Sequence, residues 1–192
     1  MTVLLASQSP RRADLLREAG IGFEVELPRF DEPGMDGWRF SAVELAESLA
    51  YFKARSVADA RPDRLVLGEL TVVSICGAFL GMPRDRDDAR RMLSMHSGTT
   101  QEVITGVALV HLARRQRMIR HAVTRVTMKR LTDDELNDYL DTGDWAGKAG
   151  AYGIQNVGDR FVTKVDGSFS NVVGLPIELV TEMIRTFGGV EN

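Results

Sequence analysis

Two serines, a proline and two arginines, Ser7-Gln8-Ser9-Pro10-Arg11-Arg12, follow directly on the short apolar run from Val3 to Ala6. Residues of these types at this spacing can bind an anion. The apolar run reads as a buried strand, and Ser9 with Pro10 reads as the cap and first position of a helix. The first turn of a helix presents unpaired backbone N–H groups and a partial positive charge, which suits phosphate above all. Arg11 and Arg12 occupy a turn where the macrodipole favours acids, at a cost of roughly 0.3 kcal/mol or more each. Either the chain tolerates that cost with two solvated arginines, or the pair recruits an anion. Elsewhere the chain uses arginine by habit and keeps four lysines, Lys53, Lys129, Lys148 and Lys164. A lysine retained against that habit hints at a place where a compact ammonium is wanted.

Those residues need elements to hold them. Gly20 and Gly22 bracket the end of the first helix, and Phe23 to Leu27 alternates as a strand does. Pro28 to Trp38 is a loop rich in Asp, Gly and Pro that contains Asp31-Glu32. Ser41 to Ala60 carries apolar residues at helical spacing, with Lys53 late on it. Leu65 to Gly68 begins a buried strand that resumes at Thr71 to Val73, and a turn at Gly77 leads through Phe79-Leu80 to a helix over Asp85–Met95. Strands are predicted at Gln101–Leu112 and His121–Lys129, with a polar hairpin tip at Arg114–Arg117. Thr132 to Glu135 is a capping box opening a helix to about Leu140. Thr142 to Gly158 is a long glycine-punctuated segment without periodicity, and a loop of that length in a compact domain is usually functional. A strand over Phe161–Val165, a turn at Asp166-Gly167 and a helix over Leu175–Phe187 complete the chain. Strands alternating with helices, then two long adjacent strands, predict an α/β fold with a mixed sheet.

Composition narrows the function classes. The 192 residues are 44% hydrophobic and 27% charged, with a net charge of −3. That length predicts one domain over 1–192, and the mild acidity argues against a nucleic-acid surface. A single cysteine, Cys76, allows no intrachain disulfide and fits a reducing, cytoplasmic setting. Its apolar surroundings predict a buried packing role. The longest apolar runs are too short for a membrane span or a signal peptide. His96, His111 and His121 lack metal-ligand spacing.

Several segments together resemble the Maf family, the Maf-like nucleotide pyrophosphatases also called septum-formation inhibitors. They are Leu5 to Arg12, Asp31-Glu32, Leu49 to Ala54, Thr105-Gly106-Val107, Gly147 to Gln155, and Gly167-Ser168 with Asn171 to Pro176. The resemblance implies an elongated mixed sheet flanked by helices, in two lobes around a central cleft, often dimeric. It also implies hydrolysis of a nucleoside triphosphate to monophosphate and pyrophosphate with Mg²⁺ or Mn²⁺. The run Lys148 to Gln155 is similar to the branch acting on dTTP and UTP. On this resemblance Ser7, Ser9, Arg11 and Arg12 form a triphosphate cradle, Lys53 and Lys148 face the nucleotide, and Gln155 meets a base edge or a water. Glu32 matches an acid that holds metal or acts on water.

The chain departs from the family pattern where the chemistry needs an acid. The family reads Gly-Ala-Asp-Thr where this chain has Gly68-Glu69-Leu70-Thr71, so Leu70 replaces the expected base and metal ligand. Met82 replaces a triphosphate-facing lysine, and Gln101 stands where a histidine is usual. Adjacent strand residues point to opposite faces, so Glu69 is expected to look away from the cleft if Leu70 looks into it. A bulge at Gly68 would re-aim Glu69 as a substitute acid. Two readings follow: an impaired pyrophosphatase, or a catalytically degenerate nucleotide-binding relative acting in regulation.

Overall fold

The computed structural model describes residues 2–30, 41–154 and 160–188. In chain order the elements are β1 (Val3–Leu5), α1 (Pro10–Glu18), β2 (Phe23–Val25), α2 (Ala42–Ala58), β3 (Val66–Ile75), β4 (Ala78–Leu80) and α3 (Arg86–His96). There follow β5 (Thr100–His111), β6 (Gln116–Met128), α4 (Asp133–Thr142), a short 3-10 turn (Ala149–Ala151), β7 (Val162–Asp166), α5 (Phe169–Val173) and α6 (Ile177–Gly188). The strands form one mixed sheet in the order β2-β1-β3-β5-β6-β7, with β4 paired to the far end of β3. β1 pairs in parallel with both β2 and β3, whereas β3, β5, β6 and β7 are successively antiparallel. The predicted α/β class with a mixed sheet flanked by helices is the one observed.

Three long strands, β3, β5 and β6, cross the molecule and alternate their side chains between packed layers. One apolar cluster lies under α2 and gathers Leu45, Leu49, Val66, Leu70, Val72 and Ile104. A second, on the opposite face, joins Val3, Leu5, Leu67, Val107 and Leu109 to α6 through Val180 and Met183. A third forms farther along the same strands, where Val73, Ile75, Val103 and Val126 meet α3 and α4. Helix α2 reaches the sheet unusually closely because Gly68 on β3 and Gly106 on β5 have no side chains. A Cβ on Gly68 would stand 2.4 Å from the Ala50 carbonyl oxygen, and one on Gly106 would stand 2.2 Å from that of Ala46. The small residues Ala46, Ala50 and Ala54 fill the helix side of this contact, and Lys53 rides on the same helix.

Capping follows the sequence at the predicted Thr132–Glu135 box, and α2 carries a second box that its apolar spacing alone does not show. The Ser41 hydroxyl accepts from Glu44 N and the Glu44 carboxylate accepts from Ser41 N, and Thr132 and Glu135 repeat the arrangement on α4. Three expectations are corrected and one element is new. β3 is one continuous strand from Val66 to Ile75, because its pairing with β5 runs without a shift. β6 begins at Gln116, earlier than its apolar alternation suggests, since pairing to β5 holds its polar start in the sheet. Helix α5 was not anticipated; Ser168 caps it and buried Asn171 ties it to Val103 O and Thr124 Oγ, each at 3.0 Å. Cys76 is exposed, not packed. Ile75 pairs with Ala78, so Cys76 and Gly77 make a two-residue hairpin turn with φ of 49° and 80°. Positive φ at both positions is what such turns require, and it turns the cysteine outward.

Candidate functional site

β1 stops at Leu5 while β3 continues, and the sheet opens there into a cleft of about 970 Å³. The N-terminus of α1, Lys53 of α2, Leu70 and Thr71 of β3, the segment around Lys148, and Gly174 after α5 form its walls. The sequence-predicted residues Ser9, Arg11, Arg12, Lys53 and Lys148 are thus brought to one place from across the chain. Glu32 and Gln155 lie outside the described residues.

Ser9 is the N-cap of α1, yet its side chain makes no capping bond. Its own N–H donates to Ser7 Oγ at 3.3 Å. The expected side-chain cap is therefore not formed, and Ser9 lines the cleft wall. Ser7 itself is buried behind that wall, where its hydroxyl also accepts from Arg12 Nη1 at 3.2 Å. Arg12 reaches across the chain: Nε donates to the Gly174 carbonyl at 3.0 Å, and Nη2 lies 2.7 Å from Glu69 Oε2. Arg11 Nη2 donates to the Gly147 carbonyl at 3.2 Å. These contacts join α1 to two glycine-bearing segments more than a hundred residues downstream.

The electrostatics favour an anion. Burial pulls the Arg11 pKa down, and the neighbouring Arg12 charge pulls it further. Burial likewise lowers Lys148; the Asp144 carboxylate opposes that shift and Arg11 adds to it. Lys53 is buried and lines the cleft. Among the described lining residues there are four cations and no carboxylate. Like charges gathered in a partly dry cleft raise the free energy of the empty protein and lower it once an anion neutralises them.

Leu70 lines the cleft and Glu69 does not. Glu69 is fully buried on the opposite face of β3, beneath Arg12. The bulge at Gly68 that would re-aim it is absent, since pairing runs unshifted from Val66↔Val110 to Ser74↔Glu102. Gly68 serves close helix packing instead. Glu69 is therefore not among the residues that line the cleft. Met82 also lines the cleft and is 58% exposed, so the second departure is at the site as well. Gln101 is not: it is buried behind the wall, where its Nε2 donates to Tyr152 Oη at 3.1 Å. Tyr152 is the lining residue, its pKa pushed up to about 12 by burial.

A divalent cation needs hard oxygen ligands. Among the described residues no group of three metal-ligating side chains occurs, and the described cleft walls carry no carboxylate. The described residues alone therefore do not build such a site. Sequence reasoning passed over three contributors: the Gly174 carbonyl, Tyr152 and the support given by Glu69. An acid on a buried strand, one residue from a cleft position and in reach of an arginine-bearing helix, was the available clue for the last.

A mixed α/β sheet opening into a cleft whose described charges are all positive defines the class of protein. The family model for Maf-like proteins matches residues 2–187, and the chain belongs to the Maf family. Similar relatives cover nearly the whole length. The dTTP/UTP pyrophosphatase of Acetivibrio thermocellus is 42% identical, over 97% of this chain and 95% of its own. Those of Pelotomaculum thermopropionicum and Citrifermentans bemidjiense are each 40% identical, over 97% and 100% of this chain and 96% and 98% of their own.

Proposed function

We propose that the chain binds dTTP or UTP in this cleft and hydrolyses it to the nucleoside monophosphate and pyrophosphate. The observation that carries the reading is the convergence of Arg11, Arg12, Lys53 and Lys148 on one cleft without a carboxylate among its described walls. The names of the relatives supply the substrate class. In the reaction, water attacks the α phosphorus, the bond from that phosphorus to the α–β bridging oxygen breaks with its electron pair leaving on pyrophosphate, and the water proton leaves to a base or to solvent. The guanidinium and ammonium groups meet charge that grows on the leaving pyrophosphate, and forked arginine donors fix its direction. A divalent ion, Mg²⁺ or Mn²⁺, held through Glu32, completes this reading; when bound it adds charge neutralisation on the phosphates. The cytoplasm as location and a homodimer as assembly belong to the same proposal.

Leucine at position 70 accepts no proton and positions no water. Losing a positioned base costs on the order of 10² to 10⁴ in rate, so turnover is slow while binding persists. The apolar side chains of Leu70 and Met82 at the cleft surface also favour a second reading, a nucleotide-binding relative that acts by occupancy. Pyrophosphate release from dTTP and UTP with Mn²⁺, measured against Glu32→Ala, separates the two. Slow release above the variant supports the enzyme. Binding without release supports occupancy, and absence of both removes the nucleotide reading.

A further inference from the structure

We propose that Glu69 is a positioning residue that fixes the Arg12 guanidinium for the phosphates of the bound nucleotide; this rests on the nucleotide reading above. Arginine side chains are long and lose much rotamer freedom when ordered, so a free one is a poor directional ligand. Arg12 is held from three directions by three separate parts of the chain: Ser7 Oγ at 3.2 Å, the Gly174 carbonyl at 3.0 Å, and Glu69 at 2.7 Å. The parallel register Leu5↔Leu67, extended by two residues, sets Ser7 level with Glu69, so hydroxyl and carboxylate form one shelf under the guanidinium. Glu69 is fully buried while the Arg12 side chain is 18% exposed, so the acid lies beneath and the cation closes over it toward the cleft.

A guanidinium has five N–H donors in a fixed plane. Nε, Nη1 and Nη2 each spend one on the protein, which leaves donors on Nη1 and Nη2 for a ligand. The buried carboxylate also cancels much of the Arg12 charge. Arg12 consequently supplies direction more than net charge. Strand geometry explains how this chain has both an apolar cleft position and a buried acid: one step along β3 changes the face on which a side chain stands. Glu69 and Leu70 are two such neighbours, the first under Arg12 and the second at the cleft.

The test is the affinity for α,β-imido-dTTP, which resists cleavage at the scissile bond, measured by calorimetry on the full chain. Glu69→Gln keeps shape and loses charge; the looser hold on Arg12 is expected to outweigh the charge it uncovers and to weaken binding about threefold, and Glu69→Ala, which also removes the shelf, to weaken it about tenfold. In an Arg12→Ala background, Glu69→Gln is expected to change affinity less than twofold, because the pair acts as a unit. A merely structural acid would not show that dependence on Arg12. If Glu69→Ala fails to fold, Glu69→Gln with and without Arg12 decides alone. Parent-like affinity in Glu69→Gln, or equal weakening in both backgrounds, overturns the proposal while leaving nucleotide binding intact. No binding by the parent protein overturns the nucleotide reading itself and this proposal with it.

Discussion

Leu70 is 3% exposed and packs with Leu4, Ala6 and Val72 under α2, yet its side chain also forms part of the cleft wall. It shares that sheet face with the helix carrying Lys53, so an acid placed there would look toward a cation and the phosphate site. Leu70→Asp together with Met82→Lys is therefore expected to raise pyrophosphate release from dTTP by about 10²-fold or more, with little change in affinity. Losing the buried leucine costs stability on the order of 2 to 4 kcal/mol, so turnover is best compared well below the melting temperature. A double variant no faster than its parent would show that position 70 is not where catalysis is limited. At this scale the sequence was legible where chemistry is local. Strand alternation alone places Glu69 and Leu70 on opposite faces. Gln101 was not legible, since its burial behind Tyr152 depends on a contact between residues 51 apart.

Among the elements, α2 has the tightest constraint. Its backbone touches β3 and β5 at Gly68 and Gly106, and Ala54 Cβ would lie 2.8 Å from an added Cβ on Gly68. Backbone atoms cannot give way as a flexible side chain can. Gly68→Ala is thus expected to lift the helix and cost about 1 to 3 kcal/mol. Because Lys53 moves with α2, nucleotide affinity should fall as well; thermal melting and calorimetry on one variant check both effects, and a variant melting and binding like the parent would contradict them. The β3–β4 turn offers a change of opposite sign. Cys76 sits at φ 49° with Gly77 after it, and asparagine tolerates that conformation better than most residues. Cys76→Asn should stabilise by about 0.5 kcal/mol or more, raising the melting temperature by roughly 1 to 4 °C. Helices with caps and apolar periodicity, α2 and α4 above all, were readable from the chain because their determinants lie within a few residues. Helix α5 was not, because Asn171 is held by a partner far away in sequence, and the early start of β6 was not, because its polar residues carry no strand alternation and are held only by pairing across the hairpin to the end of β5.

For the whole molecule, the third apolar cluster connects the long strands to α3, α4 and the 3-10 turn, so a change there registers in global stability. His96 ends α3 inside that cluster, fully buried. Its Nε2 lies 2.9 Å from the Gly150 carbonyl, its ring meets Tyr152 edge-on, and Gln101 is its other polar neighbour. Burial lowers its pKa from 6.5 to about 4, with the Gly150 and Gln101 hydrogen bonds opposing the shift. Between pH 6.5 and about 4 the unfolded chain holds a proton on this ring that the folded protein does not accept. Unfolding therefore takes up a proton in that window, and stability falls as pH falls through it. A shift of this size corresponds to about 3 kcal/mol as an upper figure. The carboxylates with lowered pKa, Asp88 and Glu135 among them, keep their contribution between pH 7 and pH 5 and lose it as pH falls from their ordinary values through the lowered ones. Urea unfolding at pH 7 and pH 5 should thus show a loss that His96→Asn largely removes, whatever that variant does to stability at pH 7. An unchanged difference between the two pH values in the variant would assign the acid sensitivity to other groups.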